Sequence, residues 1–489
     1  MLASPNRRQF LRAGLTAAAG LSASSWSRVQ GANSDLRVAV VGFRGQGGSH
    51  ISNFLQLKDQ GVRLVALCDV DREVLGKRAA KLAQDGNPVE SFTDVRKLLE
   101  WGQVDAISTA TPNHWHALVS IWAMQAGKDV YVEKPVSHNV WEGRQMVKAA
   151  RALGRIVQTG TQSRSSRSGI AAAIAWLREG HLGKITVARG FCYKPRKSIG
   201  KVTSPQTPPA SVDYDLWTGP APLEPLTRKQ LHYDWHWVWP TGNGDLGNQG
   251  IHQMDLARWA LGADALSPLV LSLGGRLGYD DDGTTPNSQV IYHGYPEAPL
   301  IFEVRGLPKD KASQEGDLWN KSMDDYKGAR VGVVVECEGG YLTIPNYTSA
   351  QAFDREGKMI RGWSGTEDHH KNFIAAVRSR KPGDLHADIL EGHLSSALCH
   401  TGNISHQLGR PVAPGDLAAA LRDQPLAAEA AERLREHLAR NAVDLAATPL
   451  ILGQALQMDP ATERFTNHPE ANARLTREYR APYVVPAIA

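Results

Sequence analysis

The chain has 489 residues, of which 42% are hydrophobic and 21% charged. Single cores stop growing near about 250–300 residues, so this length asks for two domains. The composition excludes a disordered chain, a collagen-like repeat and a disulfide scaffold. The formal charge is +5, but Arg7, Arg8, Arg12 and Arg28 carry four of those charges within residues 1–32, which hold no acid, leaving the remainder near +1. A nucleic-acid partner therefore has no electrostatic support. No apolar run reaches the ~18 residues of a membrane span. Cys68, Cys192, Cys337 and Cys399 are scattered, with no CxxC and no Cys/His spacing for zinc, so no metal is expected.

The first segment reads as an address. Ser4-Pro5-Asn6-Arg7-Arg8-Gln9-Phe10-Leu11-Arg12 precedes a small-residue, mildly apolar stretch from Ala13 to Ala23, the charged and apolar regions of an export signal. The arginine pair followed by Phe-Leu resembles a twin-arginine signal. Residues 1–32 are therefore expected to be a signal peptide that sends the chain to the periplasm, ending between Ala23 and Ala32.

A dinucleotide-binding pattern follows. Leu36–Val41 is an apolar strand. Gly42-Phe43-Arg44-Gly45-Gln46-Gly47-Gly48-Ser49-His50 is a glycine turn. His50–Leu57 is an amphipathic helix, and Val62–Leu67 is a second strand ending at Cys68-Asp69. Strand, glycine turn, helix and strand in this order make a βαβ unit. Gly42, Gly45 and Gly47 let the backbone approach a pyrophosphate beside Arg44, and the helix N-terminus offers free N–H groups. Asp69 can accept from ribose hydroxyls and would repel a 2′-phosphate, which favours NAD over NADP. The spacing is GxxGxG, one residue longer in its first step than GxGxxG.

The alternation continues with strands at Val104–Ser108, Val130–Val132 and Ile156–Thr159, and with helices at Ala117–Ala126 and Trp141–Leu153. Such alternation implies a parallel sheet, which binds ligands beyond its carboxyl ends. Thr111, Pro112, Asn113, His116, Glu133, Lys134 and Gln162 all follow strand ends and are expected around one crevice.

After residue 165 this rhythm stops. Ser168–Glu179 reads as a helix and Gly183–Tyr193 as a strand. Residues 194–240 are Pro- and Trp-rich. Strands are expected at Leu269–Leu273, Gln289–Tyr292, Leu300–Val304 and Val331–Glu336, and helices at Asp368–Arg380 and Asp388–Leu408. The domains are thus 36–165, 166–410 and an extension, 411–489. From Asn248, Gln249–Leu261 reads as a helix with Gly262 as its C-cap. Asn248, His252, Asp255 and Trp259 are spaced i, i+4, i+7, i+11 and share a face. Asn248 also suits an N-cap. The run Trp235-His236-Trp237-Val238-Trp239 offers indoles to stack on sugar rings, with His232, Tyr233 and His236 as partners for hydroxyls; a packed aromatic loop is the other reading. Arg164 follows Gln162 and is a further substrate candidate. Asp280-Asp281-Asp282 reads as a solvated loop rather than a cation site.

Residues 130–151, VYVEKPVSHNVWEGRQMVKAAR, resemble the Glu-Lys-Pro segment of the Gfo/Idh/MocA oxidoreductase family. Val41–His50, Thr109–His116 and Gly242–Asp255 are similar to its glycine loop, its nicotinamide-side loop and its Gly-rich lead into a catalytic-histidine helix. The resemblance spans roughly residues 36–410. It implies a doubly wound Rossmann sheet followed by an α/β domain with an open, mostly antiparallel sheet. It also implies NAD(P) as cofactor and a sugar or polyol as substrate. Lys134 matches the lysine that bonds the reacting hydroxyl, and His252 the general acid/base. The family commonly has aspartate where this chain has Asn248, so Asn248 either only orients the hydroxyl, or Asp245 or Asp255 supplies the charge.

An exported NAD enzyme has no soluble pool from which to renew its cofactor. Tightly bound NAD and a closed hydride cycle are therefore expected. The alternatives are a glycoside hydrolase that works by transient oxidation and elimination, as some relatives do, and a non-catalytic carbohydrate- or nucleotide-binding protein. The family also associates through the open face of the second sheet, making a homo-oligomer possible unless 411–489 covers that face.

Overall fold

The computed structural model describes residues 35–489; the expected signal peptide lies outside them. Strands β1 (Leu36–Val41), β2 (Val62–Cys68), β3 (Glu90–Phe92), β4 (Ala106–Thr109), β5 (Asp129–Val132) and β6 (Val157–Thr159) form a parallel sheet in the order β3-β2-β1-β4-β5-β6. The order reverses beside β1, where the ends of β1 and β4 open a crevice. Strands β1, β4 and β5 are almost wholly buried, which is why they read as continuous apolar runs rather than alternating ones.

Helix starts follow the capping chemistry. Asn139 accepts from the Glu142 N–H at 2.9 Å and so caps Val140–Ala152, while the Glu142 carboxylate reaches back to the His138 N–H at 2.8 Å, one residue before the cap. Two starts lie earlier than periodicity suggests. The helix after β1 is Gly47–Gln56, and the helix after β4 is Asn113–Gln125. Gly47, Asn113 and His116 thus belong to first turns rather than loops. The small and polar residues of a first turn do not show the apolar period, so the pattern begins one turn late.

Among the described residues the second sheet has twelve strands. Its central path pairs β7 (Ile185–Tyr193), β8 (Leu269–Gly275), β9 (Ser288–His293), β10 (Leu300–Arg305), β11 (Val331–Cys337), β12 (Gly340–Ile344), β13 (Ser349–Asp354) and β14 (Met359–Ser364) in the order β14-β13-β12-β11-β7-β10-β9-β8. Only β7 and β10 are parallel neighbours on this path; its other pairs are antiparallel. The hairpins β12 to β14 are not evident from sequence. Their residues alternate too weakly, and β14 is largely exposed.

Helices Ile251–Leu261 and Ile389–Gln407 bury one face of this sheet, Met254, Ala257 and Leu398 clustering with Phe302 of β10. Gly262 ends the first of them at φ 72°, the left-handed C-cap its position suggests. The opposite face is covered by the chain's own extension. Helix Pro425–Arg440 lays Ala430, Ala431, Leu434 and Leu438 on Val187, Leu271, Val290 and Ile301. Edge strands Arg410–Val412 and Leu450–Leu452 prolong the sheet. The last residues return to the first domain, where Tyr483 and Val485 join the core of the parallel sheet and the Ile488 N–H donates to Gln145 at 2.7 Å. Leu434 is 1% exposed. Leu434→Ala should lower stability by about 3 kcal/mol. A urea melt checks this: the midpoint falls at unchanged slope, whereas an unmoved midpoint means the helix is not held by this contact.

Candidate active site

A cleft of about 560 Å³ runs from the glycine turn to the helix that carries His252. Gly42, Phe43, Arg44, Gly45, Asp69, Thr111, Pro112, Asn113, His116, Glu133, Lys134, Gln162, His232, Tyr233, Trp235, His236, Asn248 and His252 all line it.

At the nucleotide end, Gly42 has φ 73°, and a Cβ there would stand 2.8 Å from the Thr111 backbone nitrogen and 2.9 Å from its Cα. Only glycine lets these two turns approach so closely. Gly47 does not line the cleft. A Cβ on it would meet the Gly42 carbonyl at 2.1 Å, so it packs the helix start beneath the turn instead. Asp69 accepts from the Phe43 N–H at 3.1 Å and the Asp71 N–H at 3.0 Å. Burial raises it to about 6 against those hydrogen bonds. Each of its oxygens keeps a lone pair for a ribose hydroxyl. The cradle, the carboxylate and the helix N-terminus fit a dinucleotide.

At the other end, the Lys134 ammonium donates to the Asn248 carbonyl at 2.8 Å. Burial lowers its pKa, and Glu133 partly opposes this. The neighbouring Glu133 carboxylate meets His50 Nε2 at 3.1 Å and accepts from Gln162 at 3.3 Å; His50 Nδ1 meets the Ser108 hydroxyl at 2.8 Å. Burial pushes Glu133 upward. The His50 hydrogen bond and the charges of His50 and Lys134 outweigh it and hold the group at about 2. His116 is pinned between the Pro135 and Thr111 carbonyls at 2.6 and 2.7 Å, bracing the lysine turn against the turn after β4.

His252 is 7% exposed, and its Nδ1 has no hydrogen-bond partner. Such an atom costs about 1–3 kcal/mol unless a ligand satisfies it. Burial and the charge of Lys134 lower this histidine to about 3, so the ring is neutral at pH 7. His236 is lowered to about 3 by burial, and it senses Lys134 and Arg196. Trp235 stacks on it at 3.5 Å.

Several expected residues stand elsewhere. Asp255 and Arg164 do not reach the cleft. They form a buried pair at 2.8 and 2.9 Å, joined by Glu391 and Ser395, with Arg164 over the Trp259 ring. The shared helix face thus leaves the cleft after His252 and enters the packing between helices. Asn248 caps nothing; it lies in a wide π-type turn, Leu246–Gly250, and offers its carbonyl to Lys134. Asp245 is bound bidentately by Arg196 at 2.8 Å, and despite burial this holds its carboxyl below the usual range. His232 meets Asp71 at 3.1 Å and senses Arg44, so it flanks the nucleotide end rather than the lysine end. Asp281 is paired with Arg276. Among the described residues no His/Cys/Asp/Glu group could hold a metal ion.

Other lining residues were not foreseen. Lys194 and Arg196 continue beyond the end of β7, and Gln249 and Tyr347 complete the wall. Lys194 donates to the Gln249 amide oxygen at 2.8 Å, and the Gln249 amide donates to the Tyr347 hydroxyl at 2.6 Å. The first two follow a strand end, a signal that could have been read. Tyr347 follows β12 and carries no such mark. Tyr233 sits at φ 71°, which is strained for a bulky residue. It is held there by a 2.7 Å bond from Arg196, and strain of this kind gathers at functional sites.

Residues 36–161 match the oxidoreductase family described by its NAD-binding Rossmann fold, and residues 174–318 match that family's C-terminal α/β domain. A glycosyl hydrolase family 109 protein of Solibacter usitatus is 32% identical over 150 residues, 29% of this chain and 34% of that protein. One from a Shewanella species is 31% identical over 170 residues, 30% of this chain and 37% of that protein. The matched stretch thus spans about a third of the length of these relatives. Among solved structures, the WlbA dehydrogenase of Bordetella pertussis, in complex with NADH and UDP-GlcNAcA, has TM-score 0.53 at 19% identity, covering 74% of this chain and 94% of that one. Levoglucosan dehydrogenase, in complex with NADH and levoglucosan, has TM-score 0.54 at 16% identity, covering 75% and 95%. These two likenesses are of fold. With the glycine cradle, the Glu-Lys-Pro turn and both domains matched in order, the chain belongs to the Gfo/Idh/MocA oxidoreductase family and carries its NAD-binding Rossmann domain.

Proposed function

We propose that the protein oxidises a CH–OH carbon of a sugar, polyol or glycoside, with Lys134 and His252 handling the hydroxyl proton. The observation that carries this reading is that one cleft holds both a half-buried Lys134 and a buried His252 whose Nδ1 has no hydrogen-bond partner. Bound NAD would supply the hydride acceptor. Gly42, Gly45, Asp69 and the turn after β4 would hold it, and Glu133 and Gln162 would border its reactive end. Lys134 donates to the substrate oxygen, and its lowered pKa eases the passage of a proton. His252, neutral at pH 7, offers its unpartnered Nδ1 as the hydrogen-bond acceptor for the reacting hydroxyl. Asn248 positions the ammonium through its carbonyl and takes no proton itself.

A second reading, net glycoside hydrolysis with the hydride returned in the same cycle, is favoured by the family 109 glycosyl hydrolase relatives. His236 and Tyr233 line the cleft beside Arg196 and could supply the extra proton transfer this needs. Export through a twin-arginine signal, proposed from Arg7-Arg8 and Phe10-Leu11, suits either form if NAD stays bound.

Purified protein should release NAD(H) on denaturation, and the native protein should oxidise one sugar without added cofactor when a second, carbonyl-bearing sugar is present to take the hydride back. Release of phenol from aryl glycosides without added NAD would select the hydrolase form. An empty protein that turns over only with added NAD rules out the closed cycle.

A further inference from the structure

We propose that the lysine end of the cleft binds the carboxylate of an acidic sugar, a uronic acid or its glycoside, through Lys194. This deepens the functional reading above and rests on it.

The charge balance carries the argument. The cations at this end are Lys134, Lys194 and Arg196; the carboxylates are Glu133 and Asp245. Asp245 is fully engaged by the bidentate guanidinium of Arg196 and lies behind it, outside the cleft lining. Glu133 is engaged by His50 and Gln162 and stands beside Lys134. Lys194 is left over. Its ammonium bonds the neutral Gln249 amide alone, and no carboxylate lies within ion-pairing distance of it among the described residues. Gln249 is 8% exposed and is itself oriented by the Tyr347 hydroxyl. An ammonium has three donors, so two remain for a ligand.

The excess is one positive charge, held by a preorganised neutral arm at the end where the substrate must lie. A monoanion neutralises it, whereas a phosphate dianion would overshoot. The charge of Arg196 is already taken up by Asp245, which its Nε and Nη2 bind, while its Nη1 donates to Tyr233; its two remaining N–H groups can add hydrogen bonds to a ligand but no net charge. A planar carboxylate on the sugar therefore fits better than a phosphate. The near-neutral charge of residues 33–489 hides this local excess, because the compensating acids lie elsewhere.

The test is calorimetric binding to the full-length, NAD-loaded protein. The probes are matched pairs differing only at C6: glucose and glucuronate, galactose and galacturonate, mannose and mannuronate. Glucose 6-phosphate is the competing anion. At least one acid should bind tenfold or more tightly than its neutral partner. Lys194→Met should remove that gap while neutral-sugar affinity stays within about threefold, and Lys194→Arg should keep part of it. The inference is overturned if no acid outbinds its partner, if the gap survives in Lys194→Met, or if only the phosphate shows a Lys194-dependent gain. Circular dichroism and NAD retention of each variant guard against misfolding. Lys134-dependent oxidation of neutral sugars without any acid preference would sink this inference alone. Tight acid binding with no hydride transfer would sink the functional reading alone.

Discussion

Lys134→Ala should lower turnover by about 10³-fold, within the range for loss of a positioned acid or base, while NAD retention stays near that of the native chain. The expectation follows from the environment of the ammonium. It is half-buried, aimed by the Asn248 carbonyl at 2.8 Å, and its charge is disfavoured by desolvation and only partly supported by Glu133. A surface lysine would have none of these features. Lys134→Arg sharpens the test, because a guanidinium keeps the charge but does not give up a proton in proteins. It should be nearly as inactive as the alanine variant. Single-turnover measurement on NAD-loaded protein separates chemistry from binding. Turnover within tenfold of native for either variant would remove Lys134 from proton handling.

Gly42→Ala should abolish NAD retention. A methyl group there collides with Thr111 at 2.8–2.9 Å, at backbone and side chain alike, and φ 73° is unfavourable for alanine. Relief requires the turn after β4 to move, and that turn carries Thr111 and Pro112 on the cleft wall. A loss of at least a hundredfold in NAD affinity is expected, measured by fluorescence titration of stripped protein. Gly76→Ala is the control, since nothing lies within 4 Å of its Cβ position in the helix Arg72–Gln84. It should bind NAD as the native chain does. Equal affinities for the two variants would mean that the cradle does not hold the cofactor.

Five of the six parallel strands were legible because their signals are local; β3, three residues long and mostly exposed, carries no apolar run to read. β1, β4 and β5 are apolar runs ended by turns, and Gly262 marks its helix end without reference to anything distant. The second sheet was legible only in part. The buried strands β9 and β10 stand out, while β12 to β14 do not, because their pairing depends on partners already in place. Asp255 shows where periodicity stops helping. It shares a helix face with His252, yet that face runs from the cleft into a contact with Arg164 and Ser395. Helical spacing tells which residues are neighbours on a surface, and nothing about what faces each part of it.

The covalent order of residues was enough for the two-domain plan and the nucleotide end of the cleft, each resting on short segments whose backbone preferences act within a few residues; Lys134 and His252 stood out only through the family resemblance. The fate of Asp245, Asp255 and Arg164, the isolated charge of Lys194 and the covering of the sheet by Pro425–Arg440 were decided by folding. An ion pair or a covered face joins residues tens to hundreds of positions apart. Whether a charge is paired depends on which partner the fold brings within about 4 Å.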